Sequence, residues 1–151
     1  MRERETARFP TWLTQLALSL PRLKILQATC APVGHDGDND TWRVRLAVAN
    51  AGYLPAYVTH RAKERQVVRG TVFEIALPAG VSLVTGRERE IGEHLEGHAP
   101  RSSLQAFLPE RDVTADRTLQ EWIVRGPRGA VVTVDARADR AGAVRASITL
   151  G

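Results

Sequence analysis

Trp42-Arg43-Val44-Arg45-Leu46-Ala47-Val48-Ala49-Asn50 decides the fold class. Trp42, Val44, Leu46 and Val48 recur at every second position, and Arg43 and Arg45 fill the gaps. A period of two places alternate side chains on opposite faces of a sheet, one face buried and one solvated. Asn50-Ala51-Gly52 supplies the turn that ends the run. This is a strand.

Downstream, residues 53–66 do not alternate: residues 53–58 read as an extended crossing, and Thr59 is placed to cap a short helix through Arg65. Thr71, Phe73, Ile75 and Leu77 then share one face of a new strand. Residues 78–80 form a turn and residues 81–85 a short strand. Residues 86–103 are polar and glycine-rich. Further strands are expected over residues 104–108, 118–125, 130–136 and 143–150. The last two should pair as a hairpin across Asp139-Arg-Ala-Gly142, with Val132, Val134 and Ala136 facing Val144, Ala146 and Ile148.

Upstream of Trp42 lies a turn-rich break over residues 32–40, preceded by a strand with Leu23 and Ile25 on one face. Before Pro21 the period changes. Trp12, Leu13, Leu16, Ala17 and Leu20 recur at three- and four-residue spacing, which aligns them on one helical face. Isolated helices of about ten residues are marginal in water, so this face should dock on something. The reading is all-β: an immunoglobulin-like β-sandwich of about seven or eight strands with a short N-terminal amphipathic helix. Residues 1–21 form a charged tail and docking helix, and residues 22–151 the sandwich.

Composition agrees. The chain has 151 residues, 43% hydrophobic and 25% charged, ordinary values for a globular domain. No apolar stretch approaches the ~20 residues needed to span a bilayer, so no membrane partner is expected. The start, MRERETARF, is charged and has no apolar core of a secretion signal, which favours the cytoplasm. A net charge of +4 is modest, and its cations are dispersed among acids.

The candidate chemistry is thin. His94-Leu-Glu-Gly-His98 groups two imidazoles and a carboxylate. Metalloprotease motifs need His-Glu-x-x-His or His-x-x-Glu-His on a helix, and Gly97 and Pro100 oppose a helix here. Asp36-Gly-Asp-Asn-Asp40 clusters oxygens as calcium loops do, yet it lacks the glycine and distal glutamate of an EF-hand. The single cysteine, Cys30, sits in an apolar strand and reads as structural. Ser102-Ser103 has no histidine partner, and Gly126-Pro-Arg-Gly129 is a turn rather than a phosphate cradle. No catalytic residue, metal ligand or cofactor is expected. His60, Arg61, Lys63, Arg65 and Arg69, with Tyr53 and Tyr57 nearby, form the one basic concentration. With no RNA-binding signature, nucleic acid is not the expected partner.

The stretch Trp42–Asn50, continued by Ala51-Gly-Tyr-Leu-Pro-Ala-Tyr-Val-Thr59, resembles the non-catalytic C-terminal region of bacterial zinc carboxypeptidase-like proteins. Those tails carry a similar V-x-N-x-G-Y/W-L-P-T-x-V-T run, then a basic helix like Arg61 to Arg65 and an apolar strand like Thr71 to Leu77. Leu95-Glu-Gly97, the Pro21-Arg-Leu entry and Ala141-Gly-Ala-Val-Arg-Ala also fit. Ala56 stands where the tail often has Thr. The zinc site of that family uses His-x-x-Glu; here Asp38, Lys63, Gly97 and Arg101 follow the four histidines at that spacing. The resemblance therefore implies an accessory sandwich whose protein partner is a metallopeptidase domain, in cis or in trans. Trp12, Leu13 and Leu16 would be the docking surface. The other reading is a free-standing adhesion-like or ligand-binding module that uses the loop containing Tyr53, Tyr57, Arg61, Lys63, Arg65 and Arg69.

Overall fold

The alternating strand around Leu46 is an inner strand of a sandwich. In a computed structural model, residues 9–36, 39–57, 59–97 and 115–151 are described. Helix α1 spans Phe9–Ser19, β1 Leu23–Asp36, β2 Asn39–Asn50 and α2 His60–Glu64. Then come β3 Val72–Ala76, β4 Ser82–Thr85, β5 Arg89–Ile91, β6 Arg117–Gly126, β7 Val131–Ala138 and β8 Gly142–Thr149. One sheet has the order β1-β2-β6-β4 and the other β5-β3-β7-β8. Every pairing is antiparallel.

These orders match the A-B-E-D and C′-C-F-G sheets of an immunoglobulin-like sandwich. One step differs: the chain crosses to β4 before returning to lay β5 beside β3. The expected hairpin forms in the expected register, with Val132, Val134 and Ala136 opposite Ile148, Ala146 and Val144.

The two inner faces meet in one core. Trp42, Val44, Leu46 and Val48 of β2, with Trp122 and Val124 of β6, face Phe73, Ile75, Val132, Val134 and Ala136 of the second sheet. Burying an aliphatic or aromatic side chain of this size contributes about 1.5–3 kcal/mol, so these residues dominate stability. Each buried indole finds an acceptor. Trp42 Nε1 donates to Gly126 O at 3.1 Å and Trp122 Nε1 to Arg87 O at 2.9 Å. The Phe73 ring meets Trp122 edge to face, with centroids 6.5 Å apart.

The arginines line the outer faces. Arg45 and Arg43 reach Glu121 at 2.6 and 3.4 Å, and Arg145 reaches Asp135 at 2.6 Å. Such exposed pairs contribute about 0–1 kcal/mol each.

Two segments differ from the sequence-based expectation. The turn-rich break over residues 32–40 is mostly strand: β1 runs through Pro32 to Asp36 and pairs with β2 as far as Asp36 opposite Asn39. Pro32 is tolerated because β1 is an edge strand, where a missing N–H removes little, and a register shift lies between Pro32 and Gly34. Within residues 86–103, polar and glycine-rich with no strand expected, Arg89–Ile91 forms β5. Its periodicity is too short to detect, and its pairing with β3 creates it. The strand expected over residues 104–108 lies outside the described residues, as do the charged tail and Ser102-Ser103.

Candidate interaction site

Four segments gather at one end of the sandwich: the α1–β1 junction, the start of the β2–β3 loop, residues 92–97 after β5, and the β7–β8 turn. In immunoglobulin variable domains this end carries the B–C and F–G recognition loops. Helix α1 and the basic loop both lie here.

Helix α1 starts at Phe9-Pro10, where proline's missing N–H has no intrahelical partner to lose. Its last turn is tightened by Ser19 Oγ, which donates to Leu16 O at 2.7 Å, and by Leu20 N, which donates to Ala17 O at 3.3 Å. Although strongly apolar, α1 buries no residue. Trp12 is 56% exposed, Leu13 54%, Leu16 42% and Leu18 79%, and Phe9 and Leu20 are open as well. These side chains make α1 the most apolar exposed element among the described residues. Tyr53 and Leu54, also exposed, adjoin the C-terminal end of α1, because Leu54 N donates to Ser19 O at 2.9 Å.

Beneath them lies a polar joint. Asn50, 2% exposed, uses its whole hydrogen-bonding capacity. Its Oδ1 accepts from Arg22 N and Gly52 N, both at 2.9 Å. Its Nδ2 donates to Leu54 O at 2.8 Å and Glu96 O at 3.1 Å. Gly52 is pressed against Leu20 and Pro21, and Gly97 against Tyr53 and Leu54; a Cβ at either position would overlap backbone. The Asn-x-Gly element that carries the family resemblance is thus architectural, and the Leu95-Glu-Gly97 element is its counterpart across the loop end.

The basic loop divides. Tyr53 is open, but Tyr57 is buried: its hydroxyl donates to the Glu96 carboxylate, whose oxygens lie 2.7 and 2.8 Å away. Lys63 Nζ sits 5.4 Å from the Tyr57 ring centroid, and the His94 ring meets Tyr57 edge-on. This corrects the expectation that Tyr57 belongs to a recognition surface, because the packing of residues 93–97 against the loop withdraws its face from solvent. Thr59 caps α2 as expected, its hydroxyl accepting from Ala62 N at 3.2 Å. Arg61, Arg65 and Arg69 point outward, and Arg61 and Arg65 are one helical turn apart on α2 and its C-cap.

Among the described residues, no three His, Cys, Asp or Glu side chains are placed to hold a metal ion. His94 faces Tyr57, and His98 lies outside the described residues. At the opposite end, His35 pairs with Asp40 beside the β1–β2 hairpin. No described helix is long and apolar enough to cross a membrane. Cys30 faces inward opposite Val44, and burial pushes its thiol up, opposed by a hydrogen bond with the Gly151 backbone.

Residues 22–149 match the model of a family described as Domain of unknown function (DUF8731). The chain belongs to that family. The DUF8731 match runs from Arg22, just beyond Pro21, through the end of β8, so it spans the whole sandwich and leaves α1 outside. No curated protein matches the chain.

Asn50, Gly52, Glu96 and Gly97 have a joint-forming role that their sequence context does not reveal. The Asn-x-Gly signal was visible as a turn; the partners Arg22 and Glu96, distant in sequence, were not.

Proposed function

We propose that this chain is a non-catalytic accessory β-sandwich of a zinc carboxypeptidase-like protein, packing beside the peptidase domain and stabilising it or shaping access to its substrate. The observation that carries the reading is α1: an eleven-residue helix that buries none of its residues and leaves Trp12, Leu13, Leu16 and Leu18 exposed. Exposed Trp and Leu on a short helix are costly in water and become favourable when a protein surface covers them. The peptidase as that surface comes from the sequence resemblance over Trp42–Thr59 and the Pro21-Arg-Leu entry.

The reading as a free-standing recognition module through the Tyr53–Arg69 loop is weaker. Burial of Tyr57 removes one of the two aromatic contacts it would use, leaving Tyr53 with Arg61, Arg65 and Arg69.

Co-expression with a peptidase domain bearing His-x-x-Glu, followed by native mass spectrometry, tests the proposal. A one-to-one complex that is lost on Trp12→Ala and Leu16→Ala supports it. No complex, or one indifferent to both substitutions, refutes it.

A further inference from the structure

We infer that α1 is a rigid strut, its direction from the sandwich set by Asn50 and Gly52 acting as positioning residues. The junction between α1 and β1 is clamped from several sides. Leu54 N binds the α1 carbonyl Ser19 O at 2.9 Å, one of the helix-terminal acceptors that have no intrahelical donor. Arg22 N donates to Asn50 Oδ1 at 2.9 Å, and Ala51 N returns a bond to Arg22 O at 2.8 Å. Leu23 N donates to Ala141 O of the β7–β8 turn at 2.8 Å.

A flexible linker leaves its backbone to water, whereas this one spends its polar groups on three other segments of the fold. Between them sits Pro21, buried, with its φ fixed by the ring. Gly52 lies so close under Leu20 and Pro21 that no side chain fits, so the loop and the junction are packed backbone on backbone. Asn50 completes the joint: its four bonds connect the junction, the β2–β3 loop and residue 96, and a saturated buried network of this kind holds one geometry.

The consequence for docking rests on the function proposed above. A surface made of α1, Tyr53 and Leu54 is then preformed, and a partner has no helix to order on binding. The rigidity itself is measured without any partner, so the two readings fail separately.

The test is a pair of spin-label distance distributions on the full chain in a Cys30→Ser background. Labels at Gln15→Cys and Ser147→Cys report α1 against the sandwich, and labels at Thr29→Cys and Ser147→Cys report the sandwich alone. The α1 distribution is expected to be as narrow as the internal one. It should broaden by about twofold or more in Asn50→Ala and in Gly52→Ala, while Val134→Ala, a core truncation away from the joint, leaves it narrow. Near-UV circular dichroism from Trp42 and Trp122 identifies which variants keep the sandwich folded. A broad α1 distribution in the unsubstituted chain overturns the inference even if both joint variants fail to fold. So does a narrow one in folded Asn50→Ala and Gly52→Ala, or equal broadening in Val134→Ala.

Discussion

Asn50→Ala separates an architectural asparagine from a ligand-contacting one. Alanine removes four hydrogen bonds at once and leaves the Gly52 and Arg22 amides and the Leu54 and Glu96 carbonyls without their partner. The bond to Gly52 N is buried, and an orphaned buried donor costs about 1–3 kcal/mol. The other three bonds are partly buried, so water can recover some of each, leaving a loss of about 0.5–1.5 kcal/mol apiece. These terms total about 2.5–7.5 kcal/mol, and water entering the vacated space holds the destabilisation to the lower part of that range, about 3–5 kcal/mol. That is a large fraction of the ~5–15 kcal/mol that holds a domain together.

Urea unfolding followed by the fluorescence of Trp42 and Trp122, both fully buried, measures it. With a slope of about 2 kcal/mol per molar urea, the midpoint should fall by roughly 2 M. Tyr53→Ala, three residues away but exposed, should cost no more than about 0.5 kcal/mol and so move it by no more than about 0.25 M. A midpoint shift below about 0.5 M for Asn50→Ala would show that the joint does not stabilise the fold.

Other expectations are independent of that joint. Leu46→Ala empties a fully buried site between the sheets and should cost about 2–5 kcal/mol in the same urea assay. Trp12→Ala and Leu16→Ala remove side chains that the sandwich does not bury, so the thermal midpoint should stay within about 0.5 kcal/mol equivalent even where complex formation is lost. A clear loss of stability in either would mean that α1 packs on its own sandwich. Cys30 has its thiol raised by burial, so the folded state favours the protonated form. Its contribution to stability is present below the ordinary thiol range of about 8.5 and is lost as pH rises through the higher folded value. Iodoacetamide labelling of the native chain should therefore lag behind that of the urea-unfolded chain at pH 8–9; equal rates would contradict the burial.

Much of the sandwich could be read one residue at a time. The Trp42–Val48 alternation, the Val132/Val134/Ala136 and Val144/Ala146/Ile148 rows, and the Thr59 cap are local patterns, and local patterns are what periodicity reports. Segments whose structure depends on a distant partner were misread. The turn-rich composition of residues 32–40 hides the end of β1, an edge strand that tolerates Pro32, and Arg89–Ile91 is a strand only through its pairing with β3.

The candidate site divides in the same way. That Trp12, Leu13 and Leu16 share one helical face was evident from spacing; that all three stay exposed in the fold was not. Tyr53 and Tyr57 looked equivalent, four residues apart in one loop, yet Glu96 and Lys63 enclose one and leave the other open. Side-chain period and turn chemistry are properties of neighbours along the chain, so the sequence by itself determined an all-β sandwich led by an apolar helix. Hydrogen-bond saturation and burial depend on groups dozens of residues away. Only the tertiary structure could therefore decide that Asn50 and Gly52 serve the joint, and that the open surface is α1 with Tyr53 and Leu54.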